Sequence, residues 1–356
     1  MIHCVSTETK NGRGGIASVI NALSPMLEAK NIPVRAVVSH RPGKKWSSFC
    51  GALNELDTNV KAGDVVWLHC GPWLSLVRKY ALARRARSRK ALIVFHLHSV
   101  EIDAYLNNRV TRFFLRRMLL IADQIVVVSK WWQNRIEKVY PELKDKIVVN
   151  QNGLSPVFLA KAMKEAHTPD SPSETVRVIT MTRLLKKKGV QRVIEAMRFL
   201  PPEFHLSIAG TGPYVGELQK LSIKLQLESR IRFLGWLNED EKIQQMKSHD
   251  VFAMPSEYDS FGMVFIEAMA CGLPVVTTPS GPITDIVTNG IDGIIARSTD
   301  GEDIARAIEK AYQNCVSMAD NARNNVSDNF RVESGARELV SLFSRMSGKS
   351  VDGQKN

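Results

Sequence analysis

The chain is poor in cysteine: it has five among 356 residues, and none of them forms a C-x-x-C pair. An odd, scattered set argues against a disulfide framework and predicts reduced thiols in a cytosolic protein. No apolar run reaches the roughly 18 residues that a membrane span needs. The first ten residues, "MIHCVSTETK", lack the charged leader and long apolar core of a signal peptide, so we expect a strand there.

The sequence also lacks the usual signs of a metal site. No pair of acids in a D-x-D arrangement follows a predicted strand, and no His, Cys or Asp cluster has metal-ligand spacing. We therefore expect no metal and no other cofactor. Although the isoelectric point is near 9.5, nothing resembles a helix-turn-helix or an RNA-recognition motif, so we expect no nucleic-acid partner.

Positive charge is in excess, and it is unevenly placed. The formal net charge is +12, and residues 1–165 hold 26 Lys and Arg against 12 Asp and Glu, whereas the remainder is nearly balanced. The charge is densest in 78–90 and 109–121. Such clusters attract polyanions, including anionic membranes and phosphorylated substrates. A solvated basic face without a partner is the other interpretation.

Short β-branched runs alternate with helical stretches, which predicts an α/β protein with parallel sheets covered by helices. The polar segment 159–175 contains two prolines and predicts a linker between a first domain, 1–158, and a second, 176–332. A final helix over 333–346 is a candidate to pack back on the first domain. The predicted strands are 2–7, 34–40, 64–70, 91–99, 124–129, 146–152, 176–182, 205–210, 230–235, 251–256, 274–278 and 293–297.

Two strand ends carry features that suit phosphate. In open α/β sheets, ligands bind beyond the carboxyl ends of the strands. After the first strand, Gly12, Gly14 and Gly15 precede a helix, where backbone N–H groups can approach a phosphate, although any tight turn also favours glycine. After the first strand of the second domain, Arg183 and Lys188 suit a diphosphate; a solvated basic turn is the alternative.

Two further strand ends belong to the same pattern. "IAGTGP" at 208–213 ends a strand with a G-x-G turn that contains Gly212. "SEYDSFGMVFIEAMACGLPVV" at 256–276 predicts a loop with Asp259, then a short helix that begins near Gly262 and carries Glu267. A carboxylate in apolar surroundings needs a partner. The spacing of eight lets both acids face one ligand, whereas a lone acid of this kind usually forms a buried salt bridge.

These motifs resemble the retaining nucleotide-sugar glycosyltransferases of family 4. The resemblance rests on "R-x4-K-G" at 183–189, "IAGTGP", "FLGWL" at 233–237 and "PSEYDSFGMVFIEAMACGLPVV" at 255–276, with "NGRGG" and "ADQIVVVS" in the first half. It implies the GT-B fold, in which two doubly wound Rossmann-like domains face each other across a cleft. The first domain would bind the acceptor and the second the nucleotide-sugar donor.

The implied activity is transfer of a sugar from a nucleoside diphosphate to a hydroxyl of a glycan or lipid-linked acceptor, without a metal. Lipopolysaccharide O-antigen, capsule or exopolysaccharide assembly is the implied setting. From the basic helices themselves, which carry no signature of the family, we expect a cytoplasmic enzyme that is peripheral on the inner membrane face. These helices would dock on the anionic membrane by mixing Arg with Phe113, Phe114, Leu115, Met118 and Leu119.

The resemblance also implies residue roles. Arg183 and Lys188 would bind the donor diphosphate, Asp259 the sugar hydroxyls and Glu267 the ribose; the family usually has Glu in the place of Asp259. Backbone amides would bind the sugar and the β-phosphate. These amides are those of Phe261, Gly262 and Met263. The other glycines expected to contact the donor are Gly212, Gly14 and Gly15.

The family also places a histidine near the donor sugar, after a strand of the first domain. "FHLHS" offers His96 and His98, and we favour His98 because it is nearer the strand end. The implied catalytic set is therefore His98, Arg183, Lys188 and Asp259. A nucleotide-sugar epimerase with the same fold is the alternative. A phosphorylase would need a lysine in a pyridoxal phosphate context, which we do not find.

Overall fold

The computed structural model describes residues 1–8, 15–41, 43–164, 175–257 and 259–347. The chain forms two compact units: Met1–Gly153 together with the described residues from Val332 onward, and Leu154–Arg331. Each unit contains one six-stranded sheet in which every described strand pair is parallel. This confirms the predicted α/β class, and all twelve predicted strands are present.

The sheet of the first unit has the order β2-β1-β3-β4-β5-β6. Its strands are β1 Ile2–Thr7, β2 Val34–His40, β3 Val65–Cys70, β4 Leu92–Leu97, β5 Gln124–Val127 and β6 Ile147–Val149. Strand β3 is buried along its whole length, as expected for a strand of a parallel sheet covered on both faces. The direction of winding reverses between β1 and β3, so a ligand crevice is expected at their carboxyl ends.

Among the described residues up to Gly153, seven helices connect or follow these strands. They are α1 Gly15–Glu28, α2 Lys45–Asn59, α3 Trp73–Ser88, α4 Ile102–Asn107, α5 Arg109–Leu120, α6 Lys130–Val139 and a three-ten helix, Pro141–Lys146. The boundary between α4 and α5 has a local cause. The Asn108 side chain accepts hydrogen bonds from the amides of Val110 and Thr111 and so begins α5.

The sheet of the second unit has the order β12-β11-β10-β7-β8-β9, with the reversal between β7 and β10. Its strands are β7 Val176–Met181, β8 Phe204–Ala209, β9 Ile231–Gly235, β10 Val251–Ala253, β11 Val275–Thr277 and β12 Gly293–Ile295. Its helices are α7 Pro156–Met163, α8 Val190–Ala196, α9 Val215–Lys224, α10 Glu239–Lys247, α11 Met263–Ala270, α12 Gly301–Gln313 and α13 Cys315–Asn329, with three-ten turns Lys186–Lys188 and Gly281–Asp285.

The last helix, α14 Val332–Met346, contributes to the core of the first unit. Its buried residues Leu339, Leu342 and Phe343 recur at helical spacing and join a cluster that includes Ile20 and Leu27 of α1. The chain therefore returns to the unit in which it began. The helical period shows that α14 has an apolar face, but it does not specify which sheet that face covers.

The segment 159–175, predicted as a linker, is in part a helix. Helix α7 begins at Pro156, capped by the Ser155 side chain, and it extends to Met163. Residues 165–174 lie outside the described part of the chain. Among the described residues, no helix is long and apolar enough to cross a membrane.

Candidate functional site

The predicted site residues of the second unit lie at the reversal of its sheet. Lys188 ends the three-ten turn after β7, and Asp259 lies in the loop after β10. Because β7 and β10 are hydrogen-bonded neighbours, the two loops meet at one edge. This is the position at which doubly wound sheets bind ligands.

Lys188 and Asp259 form an ion pair at this edge. The Lys188 Nζ lies 2.6 Å from the Asp259 Oδ1, and the two side chains are only 10% and 13% exposed. The second carboxylate oxygen, Asp259 Oδ2, is buried and has no hydrogen-bond partner among the residues that the structure describes. Since a buried acceptor without a donor is costly, this oxygen suits a ligand that brings a hydroxyl.

Gly189 holds the two loops together. Its φ of +76° lies in the left-handed region, and a Cβ there would be 2.1 Å from the carbonyl oxygen of Pro255. The Glu257 amide also donates to the Lys187 carbonyl at 3.1 Å. The backbone of the loop after β7 therefore touches that of the loop after β10, which only glycine permits at this position.

Replacing Gly189 by alanine is expected to destabilise the protein well beyond the ~1–2 kcal/mol of left-handed strain, because the clash is with a backbone carbonyl that cannot rotate away. Gly235 is the matched control: its φ is +72°, and nothing lies within 4 Å of a Cβ there. Chemical denaturation of G189A and G235A measures the difference. Equal losses of unfolding free energy would show that the close approach of Gly189 to Pro255 is unimportant.

The G-x-G turn after β8 has a similar packing role. A Cβ on Gly210 would lie 1.8 Å from the Thr182 carbonyl oxygen, and one on Gly212 would lie 2.3 Å from that of Leu184. The turn thus supports the loop that carries Arg183. That side chain is exposed and has no carboxylate partner among the described residues, so it is available to an anion. The donor contact of Gly212 stays a prediction.

The predicted amide donors lie at the start of α11. Gly262, with a φ of +101°, precedes the first helical residue, Met263, and Phe261 before it is buried. The first amides of a helix lack partners within it and favour anions. Glu267 lies one turn further on, as the sequence predicts. Binding of a sugar or phosphate by these amides remains a prediction.

Glu267 is paired in a way that the sequence did not reveal. Its Oε1 lies 2.7 Å from the Nζ of Lys242 on α10, and this lysine lies 5.3 Å above the ring of Phe158. Burial raises the pKa of Glu267, and the Lys242 charge partly opposes that shift. Nearby, Glu257 is half-exposed and pairs with Arg192 at 2.6 Å. No local pattern connects Lys242 with Glu267, which is 25 residues away.

Of the site residues predicted in the first unit, His98 lies at the carboxyl end of the sheet. Gly14 lies outside the described residues, and Gly15 is the first residue of α1. His98 follows β4 and is buried; its Nε2 lies 2.8 Å from the Nδ1 of His69, a residue that sequence reasoning missed. Lys79 is also buried here, and it donates to the Ser39 hydroxyl. Burial lowers the pKa of Lys79 to about 7.

Two family models match the chain. The model for glycosyl transferases group 1 matches residues 164–329, and that for glycosyltransferase family 4 matches residues 13–157. Together they span most of the sequence, and the boundary between them is close to that between the two units.

Curated relatives and a solved structure are consistent with these matches. A GDP-mannose-dependent alpha-(1-6)-phosphatidylinositol monomannoside mannosyltransferase of Mycolicibacterium smegmatis is 27% identical over 300 residues, 79% of this chain and 76% of the relative. The putative colanic acid biosynthesis glycosyltransferase WcaL of Escherichia coli K12 is 27% identical, over 83% of this chain and 73% of its own. The Anabaena protein HepE, crystallised with UDP-glucose, superposes with a TM-score of 0.73 at 22% identity, covering 97% of this chain and 99% of HepE.

Proposed function

The chain belongs to the group 1 glycosyltransferases of family 4, and from this premise we propose that it transfers a sugar from a nucleoside diphosphate to a hydroxyl of a glycan or lipid-linked acceptor. The proposal includes retention at the anomeric carbon and independence from metal ions. The observation that carries it is the buried Lys188–Asp259 pair at the reversal of the second sheet, with the exposed Arg183 in the same loop as Lys188.

Lys188 and Arg183 supply the positive charge that a diphosphate leaving group requires. Arginine binds two oxygens of a phosphate in a fork, and lysine acts as a point charge. As the sugar–phosphate bond breaks, negative charge grows on the departing oxygen. Preorganised cations in a partly buried site stabilise that charge most where it develops. In this proposal, these two side chains and the amides before α11 do what a metal ion does in other transferases.

The two carboxylates recognise hydroxyl groups. Asp259 Oδ2, which has no partner within the described part of the chain, accepts a hydrogen bond from a sugar hydroxyl, while Oδ1 keeps its contact with Lys188. Glu267 accepts from the ribose hydroxyls; burial raises its pKa, and the charge of Lys242 opposes that increase. Because Asp259 is one methylene shorter than the glutamate usual in the family, the sugar must approach the backbone of this loop more closely.

Retention follows if the acceptor attacks on the face from which the diphosphate leaves. The anomeric carbon–oxygen bond to the diphosphate breaks, the bond to the acceptor oxygen forms, and the departing phosphate oxygen takes the proton of the acceptor hydroxyl. No enzyme nucleophile is needed. The relatives named for colanic acid synthesis and for phosphatidylinositol mannosides support a polysaccharide or glycolipid product.

The proposal is tested by thermal shift with UDP-, GDP- and ADP-sugars, followed by NMR of the products formed with the stabilising donor. A specific donor raises the melting temperature because it binds the folded state alone. We expect free nucleoside diphosphate and a sugar moved to an acceptor, at a rate unchanged by EDTA. A converted nucleotide sugar that forms without an acceptor would indicate an epimerase instead.

The proposed membrane face of α5 is smaller than the sequence indicates. Of the five apolar residues expected to face lipid, Leu115, Met118 and Leu119 are buried in the core. Phe114 packs against Trp73 with ring centroids 4.9 Å apart. The expectation for these residues was wrong, because the helical period of α5 turns them towards its own unit.

The exposed face of α5 contains Val110, Phe113 and Leu120, with Arg117 5.7 Å above the Phe113 ring. Arg116, by contrast, pairs with Glu142. We propose that this face inserts shallowly into an anionic membrane, with the apolar side chains in the interface and Arg117 among the headgroups.

The double variant F113A/R117A is expected to lose most of its binding to vesicles that contain phosphatidylglycerol. A matched pair lies on the second unit, where Arg198 lies 5.7 Å above the exposed ring of Phe199. R198A/F199A removes the same groups and should float with vesicles like the wild type. Equal partitioning of all three proteins in a flotation assay would end the membrane proposal.

A further inference from the structure

A shallow pocket on the first unit is lined mainly by arginines. It opens between α5 and the corner at which α6 passes into the three-ten helix Pro141–Lys146, and its volume is about 370 Å³. That volume is at the lower end of the roughly 300–1,000 Å³ that is usual for small-ligand sites. The lining includes three arginines of α5, two aromatic residues and one acid, namely Arg109, Arg112, Arg116, Phe113, Tyr140 and Glu142.

The pocket holds more positive charge than its own acid balances. Arg116 pairs with Glu142, and the Arg116 Nε lies 2.7 Å from the Glu142 Oε1. Arg109 and Arg112 are exposed, and within the described part of the chain neither side chain has a carboxylate at ion-pair distance. Two of the three guanidinium groups are therefore available to an anion.

The place of these two arginines on α5 is unfavourable unless an anion is bound. Arg109 is the first residue of the helix, Arg112 lies three residues later, and the first turn contains no acid. The helix dipole opposes cations at this end and favours anions. Asn108 caps the amides of Val110 and Thr111 but brings no charge. A phosphate group here would interact favourably with the helix end, and its oxygens match the fork of donors on a guanidinium group.

Tyr140 fixes the wall of the pocket. Its side chain is buried, and its hydroxyl donates to the Arg112 carbonyl at 2.6 Å. The Tyr140 amide donates to the Ile136 carbonyl of α6, and the Leu143 amide donates to the Tyr140 carbonyl. This hydroxyl bond and the ion pair to Glu142 join α5 to the three-ten corner at two points. The concave shape is thus held before a ligand binds, which lowers the entropic cost of binding.

An exposed apolar surface continues from the pocket. Phe113 lies one helical turn from both Arg109 and Arg116, so all three share one side of α5. Phe113 lines the pocket and is 60% exposed, and Val110, three residues before it, is 76% exposed. A soluble phosphate compound would use only the charge of the pocket. The phosphate of a lipid can occupy the pocket while its acyl chains lie against Phe113.

We propose that this pocket binds the phosphodiester of one anionic membrane lipid, held between Arg109 and Arg112 and bounded by the Arg116–Glu142 pair. The inference rests on the proposed function, in which α5 inserts shallowly into an anionic membrane. It extends that contact from general charge attraction, which is shared among many lipids, to a saturable site for a single headgroup. Because the site is on one side of α5, an occupied pocket fixes how the first unit is turned towards the membrane.

The site is tested with the full chain and dihexanoyl phosphatidylglycerol below its critical micelle concentration, so that no membrane surface is present. A titration followed by native mass spectrometry gives the number of bound lipids and the Kd. We expect saturation at one lipid per chain. Dihexanoyl phosphatidylcholine should bind about tenfold more weakly or less, because its headgroup carries a balancing positive charge. Glycerol 3-phosphate that binds as tightly as the lipid would overturn the lipid assignment.

The variant R109A/R112A removes the two unpaired guanidinium groups. It should raise the Kd for dihexanoyl phosphatidylglycerol by about tenfold or more, because charge-assisted hydrogen bonds to the phosphate are lost. The matched control is R337A/R345A, which removes two exposed arginines of α14 in the same unit that do not line the pocket. It changes the net charge equally and should bind like the wild type. Equal affinities of all three proteins would contradict the proposal, since net charge alone would then explain binding.

The variant E142Q is expected to change the affinity in the opposite direction. Its amide keeps an oxygen for Arg116 but no longer neutralises that charge, so the lipid should bind several-fold more tightly. A loss of folding cannot produce tighter binding, so the opposite signs of the two variants distinguish recognition from stability. Unchanged or weaker binding by E142Q would overturn the proposal. None of these measurements needs a sugar donor or sugar transfer, so this inference and the proposed transferase activity fail separately.

Discussion

Replacement of Lys188 by methionine is expected to lower kcat/KM for sugar transfer by about 10²–10³-fold, the usual loss when one preorganised charge-stabilising group is removed from an active site. Lys188 is largely buried, and its Nζ lies 2.6 Å from the Asp259 carboxylate. Methionine keeps most of the length and an unbranched apolar stem but not the charge. The leaving diphosphate then faces a carboxylate without its cation, which adds repulsion to the lost attraction.

The same substitution also lowers the free energy of unfolding, and this loss must be distinguished from the loss of activity. Breaking a buried ion pair leaves an uncompensated charge, here that of Asp259. The double variant K188M/D259N removes both charges at nearly constant shape. It should recover most of the unfolding free energy lost in K188M but none of the activity, because the cation is still missing.

Lys186 provides the matched control, since it lies in the same three-ten turn but is exposed. K186M should keep wild-type kinetics within a few-fold. Steady-state rates and denaturation curves of the four proteins give the comparison. Activity of K188M within tenfold of wild type would mean that the diphosphate is bound elsewhere.

A steep loss of stability in mild acid is the second large effect that we expect. Burial lowers the pKa of His69, His96 and His98 in the folded protein. Below the ordinary histidine value of about 6.5, the unfolded chain therefore binds up to three more protons than the folded one. Stability falls as pH falls, by about 1.4 kcal/mol per pH unit for each histidine and roughly 4 kcal/mol per unit for all three.

Other charged groups near the three histidines act in other pH ranges. Lys79 faces His69, and burial lowers its pKa from 10.5 to about 7, so its own contribution makes stability rise with pH between those values. Below pH 7 it is largely protonated in both states. Urea denaturation at pH 7.0, 6.0 and 5.5 therefore reports chiefly on the histidines within the first unit.

The variant H96F removes one titrating ring and keeps an aromatic side chain against His98. It should lose about one third of the acid slope, and H205F in the second unit should lose little of it. The carboxylates contribute equally to the acid slope of the variants and of the wild type, so their contribution cancels when the slopes are subtracted. This includes Glu267 and Asp292, whose pKa values are raised by burial. An unchanged slope in H96F would show that His96 is protonated in the folded state, or that acid unfolds a different part of the molecule.

The twelve strands could be predicted because their signal is local. Each is a short β-branched run bounded by polar or turn residues, and a central strand such as β3 is buried on both faces, so it appears as a continuous apolar stretch. The start of the proposed linker lies instead in α7, whose apolar residues Phe158, Leu159 and Ala162 are buried.

The kinds of residue at the site were likewise visible in the sequence, because glycines, cations and acids followed predicted strands. Their partners were not. Lys188 and Asp259 are 71 residues apart and meet only because β10 pairs with β7. For Glu267, the sequence left open whether a ligand or an ion pair compensates the charge, and the structure provides Lys242 from another helix.

Local pattern thus specified the elements, the order in which they follow one another and the chemical groups at their ends, since each depends on neighbours within a few residues. Strand order and helix orientation specified the contacts. They place α14 on the first sheet, bring His69 within 2.8 Å of His98 and turn Leu115 of α5 inward. These outcomes depend on the joint packing of residues that are distant in sequence, and no single stretch of the chain encodes that packing.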